Sequence, residues 1–180
     1  MVRNVAAVVS AMLVGLLMSL SGTGPAGASA DDWSGAFRIV HVSTSQRLVP
    51  NDGGGDTSEN AVVWAALTPP GPDGQDWQLQ RVDAGVGAGV GAGAHRIRNL
   101  TSRLCLKAGI TGYGPTVLQG TCSTADDTQR WRLEETGAGY RISSVATGDA
   151  IASYASRGDY WAMLGPEAPT LAQRWRLVGL

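Results

Sequence analysis

The pattern of apolar and polar positions divides the chain into two stretches. From Val5 to Leu20 the run is apolar and carries no charge. Beyond Asp31 apolar residues alternate with polar ones, as in Phe37 and Ile39, Leu104 and Leu106, and Tyr140 and Ile142. A period of two predicts short, half-buried β-strands. Turn-forming clusters separate them, among them Asn51-Asp52-Gly53-Gly54-Gly55 and Gly112-Tyr113-Gly114-Pro115. No segment after residue 30 sustains an apolar stripe at helical spacing with caps, so an all-β body is expected.

The first stretch reads as an address. Arg3 precedes the apolar run, small residues follow it, and Ala28-Ser29-Ala30 supplies a cleavage site. That order predicts a secretory signal peptide over residues 1–30. The run is also short of the ~20 residues that a membrane-spanning helix needs. Its removal leaves a body of residues 31–180 with net charge −2 and no further span. An oxidising, extracellular destination makes a disulfide the default for the two Cys.

A threefold repeat is the strongest signal in the body. Gln-x-Trp occurs at Gln75-Asp76-Trp77, Gln129-Arg130-Trp131 and Gln173-Arg174-Trp175, each Trp followed two positions on by Leu79, Leu133 or Leu177. Composition alone would give such a tripeptide about 0.2 times. Phe37-Arg38-Ile39, His95-Arg96-Ile97 and Tyr140-Arg141-Ile142 open the three units, which span about 36–82, 94–135 and 139–180. A unit this short cannot bury its own apolar face, so the three are expected to share one core. The first two Gln-x-Trp motifs lie farther apart than the last two, and most of the surplus is a Gly-Ala-Val tract over 84–94. It reads as an insertion between units, and without a following Lys-Ser/Thr it is no phosphate loop.

Three Gln-x-Trp units resemble the ricin B-chain-type lectin domain, over about Phe37 to Leu177. The resemblance implies a β-trefoil of three repeats with pseudo-threefold symmetry, each Trp in the shared core and each Gln fixing nearby backbone. It also implies a disulfide between Cys105 and Cys122, from the Cys-Leu and later Cys of the second unit. The counterparts of these two Cys align as Leu48 and Leu67 in the first unit, Ala150 and Pro166 in the third.

The family binds sugar in a shallow pocket on each repeat. Its pattern is an Asp after the Cys-Leu, a Gln-x-aromatic pair before the second Cys, and an Asn beside the Gln-x-Trp. Carboxylate and amides bond the hydroxyls, and the ring covers the apolar face of the sugar. Aligned here, the Asp slot holds Pro50, Lys107 and Ala152, and the Gln slot Val63, Leu118 and Ala162. The aromatic slot holds Ala65, Gly120 and Leu164, and the Asn slot Gly74, Thr128 and Ala172. Every one is replaced. Nearby polar and aromatic residues that could build a different glycan site are Asn51, Asp52, Trp64, Tyr113, Tyr154, Asp159 and Tyr160; as turn or core residues each also has a plainer role.

Composition narrows the rest. With 14 basic against 15 acidic residues there is no surplus of cations for nucleic acid. The two His, His41 and His95, form no metal or Cys-His constellation, and His41 stands where the other units have Asn99 and Ser144. Asp126-Asp127 and Glu134-Glu135 flank a Gln-x-Trp, but adjacent acids on a strand point to opposite faces. Neither an enzyme, a cofactor nor a metal is therefore expected. The function implied is a secreted, monomeric, non-catalytic protein binding a glycan or polysaccharide. The alternative is a trefoil scaffold for a secreted protein partner, as a protease inhibitor or toxin-associated subunit, with sugar binding lost.

Overall fold

A computed structural model describes residues 33–51, 56–67, 74–82, 93–156 and 159–180. The expected leader, Asp52 and nearly all of the Gly-Ala-Val tract lie outside the described residues. Twelve strands account for most of what is described. They are β1 (Phe37–His41), β2 (Arg47–Pro50), β3 (Val63–Ala66), β4 (Asp76–Val82), β5 (Ala94–Asn99) and β6 (Cys105–Thr111) in the first half. β7 (Gly114–Gly120), β8 (Trp131–Thr136), β9 (Gly139–Ser144), β10 (Ala150–Ser156), β11 (Asp159–Gly165) and β12 (Trp175–Gly179) follow. Short 3-10 turns, Asp127–Gln129 and Leu171–Gln173, precede β8 and β12.

Six strands close a barrel. β1 pairs with β12, β12 with β9, β9 with β8, β8 with β5, β5 with β4, and β4 with β1, all antiparallel. The other six form hairpins, β2–β3, β6–β7 and β10–β11, one from each unit. The hairpins meet through three contacts of one kind: Trp161 opposite Trp64, Met163 opposite Thr116, and Val62 opposite Leu118. A closed barrel capped by three hairpins is a β-trefoil, and closure leaves the barrel no open edge.

The core is built in layers of three. Ile39, Ile97 and Ile142 are fully buried from the first strand of each unit, as are Leu48, Leu106 and Ile151 from the second. Val63, Val117 and Ala162 come from the hairpins, and Trp77, Trp131 and Trp175 from the fourth strands. Each indole brings roughly 150–250 Å² of surface to the interior. Each also has a buried N–H, and the three solve it alike. Nε1 donates to the carbonyl of Leu48 (3.0 Å), Leu106 (3.0 Å) and Ile151 (2.9 Å) respectively.

One turn in each unit repeats in similar detail. The amide of His41, Asn99 and Ser144 donates to the carbonyl of Gln46, Leu104 and Asp149. The residue before that acceptor has positive φ: Ser45 (60°), Arg103 (62°) and Gly148 (78°). Only the third unit uses the residue that adopts this conformation without penalty. Gly139, in the tight turn between β8 and β9, is required more strictly. Its φ is +141°, and a Cβ there would lie 2.6 Å from the carbonyl oxygen of Trp175.

Candidate functional site

The Gln residues of the repeats are structural. Gln129 accepts from the amide of Ser123 (2.9 Å) and donates to the carbonyl of Thr121 (2.8 Å). Gln173 does the same with Ala168 (2.7 Å) and Pro166 (2.8 Å). Gln75 accepts from the Arg47 guanidinium. All three amides are buried, so each ties the loop before its barrel strand to the hairpin.

The disulfide joins Cys105 and Cys122 with Cα atoms 5.0 Å apart. It also sets the register against which the other units can be compared. Cys105 pairs with Gly120, as Arg47 pairs with Ala66 and Ala150 with Gly165. Arg47, not Leu48, is thus the counterpart of Cys105. Thr121 and Pro166 accept the same glutamine bond, which makes Glu167 rather than Pro166 the counterpart of Cys122.

The sugar slots move accordingly in the first and third units. The Asp slot holds Val49, Lys107 and Ala152, not Pro50 in the first unit. The Gln slot holds Trp64, Leu118 and Met163, and the aromatic slot Ala66, Gly120 and Gly165. Val63, Ala65, Ala162 and Leu164, placed in these slots by alignment, are core residues. A slip of one residue carries a side chain to the opposite face of a strand. In the corrected register no slot holds its family residue.

The same register groups the hairpin residues that alternate with the core layer into three equivalent cross-strand rows, in which Val49, Thr116 and Leu118 are buried. One runs Tyr154–Trp161–Trp64–Val49 across β10, β11, β3 and β2. The second runs Gly109–Thr116–Met163–Ala152, and the third joins Val62 to Leu118 and Lys107. Only the first is aromatic. Trp64 and Trp161 stack with ring centroids 5.2 Å apart and planes 21° from parallel. Tyr113, from the turn between β6 and β7, lies against the same Trp161 at 4.4 Å and 54°. All three units therefore contribute to one aromatic cluster.

Of the sequence candidates, Trp64 and Tyr113 meet on Trp161, and Tyr154 is the cross-strand partner of Trp161 on β10; Tyr113 is 71% and Tyr154 60% exposed. Tyr160 packs against the core instead. Asn51 hydrogen-bonds Asp56 in the β2–β3 loop, where the Asp56 carboxylate also accepts from the Ser58 amide (2.8 Å). Asp159 opens β11 opposite Ser156, and its side chain lies outside what is described. Trp161 is the residue that sequence reasoning passed over. Ala162 and Leu164 as inward residues would have turned it outward, but the adjacent Tyr160 and Trp161 allow either phase.

The titrating groups elsewhere serve the fold. His41 is buried; its Nδ1 lies 2.7 Å from the Thr44 hydroxyl and its Nε2 3.2 Å from the carbonyl oxygen of Ala172. Asn99 makes the equivalent bond to the carbonyl of Gly74 (2.8 Å). Burial holds His41 below the ordinary imidazole pKa, and burial plus the nearby Arg81 does the same for His95. The Ser58 amide keeps Asp56 below the usual carboxylate range, and hydrogen bonds from Thr121 do so for Glu59. The paired acids do not face one another. Asp126 caps a 3-10 turn and does not lie on the strand expected for it, and Glu134 pairs with Arg141, which also meets Glu167 at 3.1 Å.

Residues 73–160 match the model of the ricin-type beta-trefoil lectin domain-like family. Similar solved structures include the designed threefold-symmetric protein ThreeFoil, with TM-score 0.63 and 25% identity over 82% of this chain and 100% of that one. The Rhizoctonia solani agglutinin superposes with TM-score 0.61 and 16% identity, covering 82% of this chain and 96% of its own. An exo-beta-1,3-galactanase from Clostridium thermocellum matches with TM-score 0.64 and 24% identity over 82% of this chain, but only 30% of that enzyme. No curated protein sequence matches significantly. The chain folds as a β-trefoil, and it resembles the ricin-type, lectin-like family over residues 73–160.

Proposed function

We propose that the protein is a secreted, non-catalytic carbohydrate-binding module that works as a monomer. The observation that carries this reading is the cluster of half-buried Trp64 and Trp161 with exposed Tyr113 and Tyr154 on a trefoil that resembles the ricin-type lectins. Aromatic rings at a surface suit the apolar faces of sugars, and surface clusters of this kind mark binding sites. Export rests on the leader pattern of residues 1–30. The non-catalytic part of the reading draws on Asp126, Glu134 and His41, which are engaged in a cap, an ion pair and a turn.

The test is a glycan array with polysaccharide pull-down, using protein secreted from a host with its own leader. Binding to a sugar, by a product whose mass corresponds to a start at Asp31, is the expected result. Retention of residues 1–30 would remove the secreted part of the reading. The second reading is a protein partner, favoured by the loss of all the family's polar sugar ligands. Stoichiometric co-purification with a secreted protein, undisturbed by sugar, would select it.

A further inference from the structure

We infer that the second unit carries a single oxyanion site, in which Arg98 and Arg103 take a sulfate or carboxylate group of an acidic polysaccharide. The inference rests on the carbohydrate reading above and adds a contact for charged substituents of the sugar chain. Charge is spread unevenly along the sequence. Residues 84–125, most of the second unit, hold Arg96, Arg98, Arg103 and Lys107 and no acid, although the body as a whole is slightly acidic. Arg98, on β5, lies with its guanidinium over the Trp33 ring, 4.0 Å from the centroid, and its Nη2 donates to Oε1 of Gln78 (2.9 Å). Its Nε is buried and has no partner. Burial and the nearby charge of Arg103, exposed in the β5–β6 turn, both lower the pKa of Arg98. Neither arginine is ion-paired among the described residues, whereas Arg38, Arg130 and Arg141 meet Asp76, Asp127 and Glu134. Two neighbouring cations with only neutral partners repel each other, and an anion held by both turns that repulsion into attraction.

The pair belongs to one unit only. Val40, Arg98 and Ser143 hold the same place, opposite Arg47, Cys105 and Ala150 where each barrel strand meets its hairpin. Arg103 corresponds to Ser45 and Gly148 in the turn that follows. The backbone thus repeats three times and the paired guanidinium groups once. Arg103 also stands at φ 62°, a conformation that favours glycine, and the third unit has Gly148 there at 78°. Because the side chain is exposed, packing does not account for an arginine in that conformation, and strain of this kind gathers at functional sites. The Arg103 amide donates to the Asn99 carbonyl (3.1 Å), and the Cys105–Cys122 bridge starts two residues on. Both fix the turn before a ligand arrives, which lowers the cost of binding. The planar fork of a guanidinium matches the paired oxygens of a carboxylate or sulfate. Two arginines suit an isolated charged group, whereas nucleic acid calls for a longer track of cations.

The experiment is calorimetric titration of the full secreted protein with a sulfated galactan hexasaccharide, its desulfated parent and hexagalacturonate. One site per chain is expected for an acidic oligosaccharide, and the one that binds tells sulfate from carboxylate. Arg98→Gln and Arg103→Gly are each expected to weaken binding about tenfold, the scale of a lost charge-assisted hydrogen bond. Arg176→Ala, which removes an exposed cation of the third unit, should change it by less than about twofold. Arg103→Gly should also raise the melting temperature by about 2–4 °C, because it relaxes the backbone, so its weaker binding cannot come from unfolding. A lower melting temperature would show that Arg103 serves the fold and would overturn its assignment to a ligand. Affinity unaltered in both variants, or equal affinity for the desulfated galactan, would overturn the oxyanion site while leaving sugar binding intact. Duplex DNA held as tightly through the same two arginines would overturn the ligand class. If no glycan binds here or on the array, the carbohydrate reading falls and this inference with it.

Discussion

Trp161 stacks on Trp64 across the boundary between the third unit and the first, with their ring centroids 5.2 Å apart. The strands that carry them are distant in sequence and meet because the three hairpins close around the pseudo-threefold axis. Neither indole belongs to the Gln-x-Trp repeat. The repeat tryptophans are fully buried and hydrogen-bonded, whereas Trp64 and Trp161 are half-buried, and Nε1 of Trp64 has no partner. The two sets of indoles therefore do different work, one filling the core and the other shaping the surface.

This difference is measurable as stability. Trp131→Ala empties a core site and leaves the Leu106 carbonyl without its donor, so a loss of about 3–5 kcal/mol is expected. Trp161→Ala removes a half-exposed stacking partner and should cost about 1–2 kcal/mol. Urea denaturation of both variants checks the contrast. Equal losses would mean that the surface pair is part of the folding core.

Two glycines with positive φ should respond differently to alanine. At Gly148 nothing lies within 4 Å of an added Cβ, so only the backbone conformation is penalised, by about 1–2 kcal/mol. At Gly139 the Cβ also meets the Trp175 carbonyl oxygen at 2.6 Å. Thermal denaturation should place Gly139→Ala well below Gly148→Ala. A smaller effect at Gly139 would show that the β8–β9 turn relaxes without disturbing β12.

The buried imidazoles set a pH dependence. His41 and His95 have folded-state pKa values below the ordinary value of about 6.5. The unfolded chain therefore binds protons first as pH falls. Their contribution to stability is complete above about pH 7 and declines as pH drops through 6.5 towards the folded values. His41→Asn substitutes the residue that Asn99 shows to fit this turn. The variant should stay folded, and its melting temperature should fall less between pH 7 and pH 5 than that of the parent. An unchanged slope would assign the effect to other groups.

Removing the disulfide by Cys105→Ala with Cys122→Ala releases a loop of sequence separation 17 in the unfolded chain. Chain entropy puts the loss near 3 kcal/mol. The shift of the denaturation midpoint measures it. The first and third units, with Arg47 and Ala150 in the Cys105 slot, hold the same hairpin geometry by packing. The variant should therefore remain a folded trefoil, and loss of cooperative unfolding would contradict that.

Much of the architecture was legible in the chain because its signals are local. Gln-x-Trp-x-Leu recurs within a few residues, and His41, Asn99 and Ser144 hold one turn position that spacing alone identifies. The cap register was less legible. The hairpin connections differ greatly in length, from residues 51–62 in the first unit to 112–113 in the second. An alignment drawn across them slipped by one position, placing core residues Val63 and Ala162 in slots that belong to Trp64 and Met163.

By itself the sequence determined three like units, the buried tryptophans and glutamines that repeat in them, and the all-β body they build, since each depends on neighbours along the chain. Which residues meet at the centre of the cap was decided only by tertiary structure. Trp64, Tyr113 and Trp161 come from three different units, and no local pattern relates them. Their contact exists because barrel closure brings the three hairpins together in one fixed register, turning an imperfect symmetry into a single aromatic surface.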